Sequence, residues 1–507
     1  MSPPSAPSEA GGGPAPELVD GAYAYEIGTA AALHDGLNLA DMAHLLQLDA
    51  QGLVPAADGA ALAGVLLDAD ATSWRDFGYD AAFGEPYSSR ERTFERAIGE
   101  QAGWLHAGRT RREATRVAFR LHLRREVCVL VVAAARLAAA LAHRAREHRA
   151  TLFGDHTYLQ QAQPSTIGHY LTSFAYPVLR DADRLLEVVA WLNGSPCGVG
   201  AVNGSRLATD RQTTADALGF DHVIVNTRDA MWQVDGLIQL AAAVASLACT
   251  ETSLAEDLEI WSSSEFDYVE LGAGYTRSSV LMPQKRNPYA LSMVRGATGV
   301  LIGQATGLLA VQKSPSARSD SLIFAYGETP AMVDQARRTT ELMAGVVETL
   351  AVDEARLREQ LDGGFSQATD LADELMLRFG LDYRRSYQVV GRAVRALADE
   401  GRAAVDLTLA DLDAAAREVL GRSLPIEPAD LAGVLDPAAI VATRVAVGGA
   451  APSAVDTMVD ELEVRQQAVV DAARAGLARF TAVESELRAR TLRLSGRGAR
   501  PDRGGAT

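Results

Sequence analysis

Residues Thr276 to Pro288 read TRSSVLMPQKRNP, placing a pair of serines, a Met-Pro turn, a lysine and an Asn-Pro step just before a helical pattern that opens near Tyr289. The spacing predicts a helix start. Pro288 fits the first helical position, where the N–H it lacks would have no intrahelical partner, and Asn287 falls at the expected N-cap. Lys285 and the neighbouring backbone N–H groups then lie at a helix N-terminus, a place suited to an anion. The same residues also read as a capped helix start carrying a solvated Lys-Arg pair, and the segment alone does not choose between the two.

The elements that must hold this segment are helical. From Glu113 to about Arg149 there is no Pro or Gly, and apolar residues surround the middle third of the predicted helix, the pattern of a helix packed inside others. Further helical stretches are expected from Asp229 to about Glu259, from Tyr289 to about Gln312 and from Thr329 to about Leu350. With little alternating pattern between them, they predict an all-α fold built on an elongated bundle. The expected organisation is a central long-helix bundle over 109–362 and an N-terminal helical domain over 18–108, with helical periodicity from about Asn38 to Leu67. A C-terminal helical domain over 363–493 ends in a helix from Ser453 to about Arg490, and loose tails occupy 1–17 and 494–507.

Composition bounds the function. At 507 residues the chain can bury a large core, and its usage, 48% hydrophobic but only 6% aromatic, favours helix over sheet. A formal net charge of -17 opposes nucleic acid or an anionic membrane as a partner. Cys128, Cys197 and Cys249 lie far apart without metal-ligand spacing, so neither a disulfide framework nor a zinc site is expected, and a cytoplasmic location fits. The first residues lack the basic start and apolar stretch of a signal peptide. The most apolar run, Val127 to Ala142, is broken by Arg136 and is shorter than the roughly 20 residues of a bilayer span.

Thr276–Pro288 resembles the signature GSSxMPxKxNP of the fumarase, aspartase and argininosuccinate lyase superfamily, and its MPQK form looks most like argininosuccinate lyases. With Lys285 as the signature lysine, the family's proton-abstracting serine, six positions earlier, falls on Ser279; the family Gly is Ser278 and its second Ser is Val280. Leu105–Arg111, LHAGRTR, resembles LHTGRSRND, with Thr110 and Arg111 at its Ser and Arg, and with Arg112 and Glu113 in place of Asn and Asp. Thr157–Pro164, TYLQQAQP, is similar to THLQxAQP: Thr157 and Gln160 agree, and Tyr158 stands at the family His. YSSRE resembles HSxxE, with Tyr87 at the His and with Ser88 and Glu91 kept. Weaker similarity at Asp41–Leu48, Gly200–Arg211 and Ala368–Ala372 extends the resemblance over about residues 30 to 400.

The resemblance implies a lyase that removes the β proton of a succinyl group and then expels its substituent, giving fumarate. Ser279 is then the base, and Lys285, Asn287 and Thr157 are donors to the charge that builds on the adjacent carboxylate. A serine hydroxyl is a poor base unless positive charge and exclusion of water favour its alkoxide, and Lys285 supplies that field. Tyr158 orients or protonates the leaving group, and Gln160, Arg111, Thr110, Ser88 and Tyr87 contact substrate. The family's THLQ His pairs with a Glu seven residues after the signature lysine, here Ser292, so two neutral hydroxyl groups replace a charged pair. Arg318, Ile323 and Tyr326 align with residues that contact the arginine portion in argininosuccinate lyases, which implies a different leaving group. No metal or organic cofactor is implied. The expected activity is carbon–nitrogen lyase action on an N-substituted aspartate, a small molecule carrying a succinyl group. The alternatives are argininosuccinate lyase itself or a silent member with a binding role. Because the family assembles each site from three subunits of a tetramer, a homotetramer is expected.

Overall fold

The computed structural model describes residues 13–207, 210–314, 318, 320–427, 431 and 433–497. The chain enters through α1 (Ala30–Ala50), α2 (Ala56–Asp70) and α3 (Pro86–Ile98). The periodicity from Asn38 to Leu67 is thus divided between two helices, because Gly52 adopts φ +66 and Pro55 starts the next helix. A left-handed residue is a ready helix stop.

Five long helices form the centre: α4 (Arg111–Glu147), α5 (Ile167–Leu192), α6 (Asp235–Trp261), α7 (Tyr289–Gln312) and α8 (Asp320–Glu348). In α4, 37 residues run without a Gly or Pro and bury Leu, Val and Ala on most sides. Arg116, Arg120 and Arg124 recur every fourth residue along it and are fully buried. Burying guanidinium groups requires acceptors. Arg120 donates to the carbonyls of Trp191 at 2.8 Å and Leu192 at 3.3 Å, and Arg124 to that of Leu218 at 2.8 Å. These carbonyls lie at helix ends, where no intrahelical donor remains for them.

The helix α5 escapes the sequence reading, and α8 starts nine residues before the expected Thr329. Both carry an internal proline, Pro177 and Pro330, which costs roughly 3 kcal/mol in a helix interior. In α5 the apolar face of Leu171, Val178, Leu185 and Leu192 is completely buried, and at about 1.5–3 kcal/mol per side chain that burial outweighs the break.

After the centre come α9 (Glu354–Asp362), α10 (Ala368–Phe379), α11 (Tyr383–Asp399), α12 (Leu409–Leu420) and α13 (Pro452–Leu494). The helices α10 to α12 enclose a core of their own around Leu371, Val389 and Leu412. The 43-residue α13 returns along α4 and α5 and joins the central core through Val455, Val469 and Phe480. Among the described residues, sheet is confined to two-stranded pieces, of which the longest is the antiparallel hairpin β1 (Leu152–Thr157) and β2 (Gln160–Thr166).

By length and composition, α4, α6 and α7 are each long and apolar enough to cross a bilayer, so the expectation from the Val127–Ala142 run does not hold on length alone. Two-thirds of the most apolar stretch of α4 is buried within the chain, against 28% for α7.

Candidate active site

The candidate residues fall on three segments. The first joins α3 to the start of α4. Glu85 caps α3, its carboxylate accepting from the Tyr87 N–H at 2.6 Å and the Ser88 hydroxyl at 2.8 Å, with Arg111 donating at 3.4 Å. Tyr87 is buried, and its hydroxyl accepts from Arg109 at 3.3 Å. Arg109 in turn donates to Asp41 at 2.6 Å, and Asp41 also accepts from Arg90 at 2.9 Å. Burial pushes the Tyr87 phenol above its ordinary pKa against the opposing field of Arg109. Tyr87 therefore belongs to the brace under the segment, whereas Arg111 is half exposed with its guanidinium at the surface.

Thr110 caps α4, accepting from the Glu113 N–H at 3.3 Å and donating to the Gly200 carbonyl at 2.9 Å. The sequence Thr110-x-x-Glu113 is that of a capping box. Here the Glu113 side chain goes elsewhere, accepting from the N–H groups of Gly198 and Gly200 at 2.7 Å each. Those glycines have φ of +73 and +59, which leaves two N–H groups converging on one carboxylate. Burial pushes the Glu113 carboxyl up to about 6. Glu85, Asp41 and Glu113 were not identified as site residues from sequence; Glu85 and Glu113 had local signals, and Asp41 had none.

The second segment is the tip of the hairpin. Thr157 pairs with Gln160 across a two-residue turn in which Tyr158 has φ +53 and Leu159 φ +56. Bulky residues in this region cost on the order of 1–3 kcal/mol each and collect at functional sites. Tyr158 is 99% exposed. Thr157 and Gln160 are exposed as well.

The third segment is the Ser279 loop, pinched at its base by a pairing of Arg277–Ser278 with Arg286–Asn287. The Asn287 side chain donates to the Arg277 carbonyl at 2.9 Å. It therefore does not cap α7: the N-cap is Pro288, with ψ 62 and no side-chain bond. The hairpin pairing has taken Asn287 away from the helix. Ser279 Oγ accepts from the N–H groups of Leu281 at 3.3 Å and Met282 at 3.0 Å. Val280, Leu281 and Lys285 are exposed, and among the described residues Lys285 makes no ion pair. Ser292 bonds Glu259 at 3.2 Å.

Of the expected distal residues, Arg318 is exposed. Tyr326 is buried with its ring against Phe119 at 5.0 Å, so it faces the protein's own core rather than a cleft. Among the described residues, no hydrogen bond or ion pair joins the three segments to one another.

Residues 84–303 match the model of a lyase family, and residues 365–442 match that of the argininosuccinate lyase C-terminal region. The argininosuccinate lyase of Methanoculleus marisnigri is 35% identical over 429 residues, 83% of this chain and 85% of that protein. The argininosuccinate lyase of Natronomonas pharaonis is 34% identical over 86% of each. The chain belongs to the argininosuccinate lyase family. It is an enzyme of carbon–nitrogen lyase type that forms fumarate. Among solved structures, EDDS lyase in complex with formate superposes with a TM-score of 0.85 at 26% identity, covering 96% of this chain and 97% of that one. The 3-carboxy-cis,cis-muconate lactonizing enzyme of Pseudomonas putida, at 21% identity and a TM-score of 0.70, covers 89% of this chain and 99% of that one and shares the fold.

Proposed function

We propose that this protein releases fumarate from an N-substituted aspartate, with Ser279 removing the β proton. The observation that carries the reading is the setting of the Ser279 oxygen, which takes N–H bonds from Leu281 and Met282. Donors aimed at a hydroxyl oxygen favour its ionised form, and Lys285, in no ion pair among the described residues, adds positive charge in the same loop. As the C–H bond breaks, charge moves onto the adjacent carboxylate, where Lys285, Thr157 and the remaining N–H of Asn287 serve as donors. Arg111 holds the other carboxylate, Thr110 and Ser88 line its approach, and Tyr87 positions Arg109 beneath them. Gln160 and Tyr158 face the leaving nitrogen, and the exposed Arg318 favours a leaving group carrying a carboxylate. The chemistry uses the chain's own side chains and needs no cofactor.

We further infer that the site is completed by association into a homotetramer. The three segments are separate in the protomer, and α7 exposes Met293, Val300, Ile302 and Leu309, an apolar face that a soluble monomer would leave wet. Packing of these faces, rather than a membrane, accounts for the apolar length of α7, and it suits an enzyme of the cytoplasm. Sedimentation of the full chain checks the assembly: a tetramer is expected, and a monomer overturns it.

Argininosuccinate itself is the second reading, favoured by the identity to curated argininosuccinate lyases being higher than that to EDDS lyase. Following fumarate absorbance with argininosuccinate and with ethylenediamine disuccinate distinguishes the two. Turnover of the second alone supports a distinct leaving group; turnover of neither, nor of other N-succinyl amines, overturns the proposal.

A further inference from the structure

The turn that holds Thr157 and Gln160 carries no imidazole, since Tyr158 stands at its tip; yet a histidine lies two residues earlier on the same strand. The register of the hairpin slips between Gly154 and His156, where the single residue Asp155 of β1 faces two residues of β2, Ala162 and Gln163. Such a bulge re-aims the side chains around it. His156 here lines a cleft of about 650 Å³ together with Gln160, Gln161, Tyr268 and Gln360. A cleft of this size holds a small organic group.

The imidazole is held by packing and not by hydrogen bonds. Phe153 at 5.5 Å, Tyr268 at 6.4 Å and Phe266 at 6.5 Å fix the ring, while Nδ1 is buried with no partner among the described residues. Nδ1 is enclosed by these rings, whereas Nε2 is not enclosed and has no partner among the described residues, so Nε2 is the nitrogen open to a donor in the cleft.

We propose that His156 is a contact for the leaving nitrogen, its imidazole taking a hydrogen bond from the departing amine in the cleft beside Gln160. The inference rests on the reading of the Thr157–Gln160 turn as part of the lyase site. In the reaction the β proton passes to Ser279 Oγ and the C–H electron pair becomes the new carbon–carbon double bond. The C–N bond breaks with its pair on nitrogen. An ammonium thereby leaves as the neutral amine, and an N–H that it keeps is the donor to His156.

The role requires the neutral imidazole. Burial holds His156 below its ordinary pKa, with Asp155 and Asp257 opposing. The groups around it are Asp155 on its own strand, Asp257 from α6 with Tyr170 of α5 bonded to it at 2.6 Å, Tyr268 after α6, and Glu359 from α9. As pH falls and the ring protonates, its acceptor is lost and an ammonium is repelled.

The test is the pH profile of kcat/KM for fumarate release by the full-length enzyme, for wild type, His156→Gln and His156→Phe. The wild type loses about tenfold between about pH 7 and about pH 5. His156→Gln, which keeps an acceptor that does not titrate, stays within about threefold at pH 8 and lacks this acid limb. His156→Phe falls about thirtyfold at about pH 8 and also lacks the acid limb, so its deficit narrows as pH falls, with fumarate affinity by calorimetry unchanged. An acid limb that persists in the Gln variant, or a Phe variant equal to wild type, overturns the assignment. Labelling of His156 by diethyl pyrocarbonate, read by peptide mass spectrometry, answers without turnover. Arginine or N-(2-aminoethyl)aspartate should slow it and fumarate should not; protection by neither amine overturns the assignment even where no substrate is cleaved. Absence of fumarate release from every N-succinyl amine, with amine protection intact, faults the lyase reading instead.

Discussion

The start of α4 and the Ser279 loop carry candidate residues of one site, yet they are held in opposite ways. Beside the start of α4, Glu85, Tyr87, Thr110 and Glu113 each have partners within the chain, and Asp41 lies buried between Arg90 and Arg109. Around Ser279 the bonds are local to the loop apart from the ion pair of Arg286 with Glu270, and Val280, Leu281 and Lys285 face solvent. A carboxylate-binding surface gains from being rigid before substrate arrives. A serine base gains from being wet until then, because its alkoxide is favoured only when water is excluded. On the proposed function, the contrast separates substrate holding from proton removal.

Substitutions in the rigid half should act on stability, and those in the loop on turnover. The largest stability effect is expected at Asp41→Asn, which leaves two buried guanidinium groups without their countercharge and costs about 3–5 kcal/mol. A melting temperature equal to wild type would break the contrast. Next is Glu251 in α6, fully buried with its acid bonded to Thr340 at 2.5 Å and pushed up to about 8 by burial, with Asp181 adding to the rise. Its folded pKa lies above the unfolded value, so its stabilisation is complete below about pH 4.5 and is lost as pH rises through about 8. Glu251→Gln should flatten the fall in melting temperature between about pH 6 and about pH 9, a gain on the order of 3 kcal/mol at the alkaline end. An unaltered slope would place the acid elsewhere. The smallest stability effect is expected at Asn287→Ala, at about 1 kcal/mol or less. Its mark is on kcat, lowered roughly tenfold as the loop loses its base pinch; a kcat held at the wild-type value would detach the pinch from catalysis.

Much of this was legible in the chain. Helix α7 spans the expected Tyr289–Gln312, because periodicity and a proline at its border mark it. Helix α5 was hidden, since Pro177 reads locally as a break and only the packing of the other helices outweighs it. The hairpin at Leu152–Thr166 carries no alternating pattern and depends on two residues forced to positive φ. In the site, the motif lysine and serine were visible by resemblance, whereas the brace was not. Glu85 bonds residues two and three positions away, but Asp41, Arg90 and Arg109 meet only through folding, and Glu113 imitates a capping box while serving Gly198 and Gly200.

The most direct test is the rate of fumarate release by Ser279→Ala on the N-substituted aspartate that the wild type cleaves, with the melting temperature and fumarate affinity measured on the same preparation. Loss of about a thousandfold or more in kcat, with fold and affinity retained, is the expected result. A kcat within about threefold of wild type would contradict Ser279 as the base.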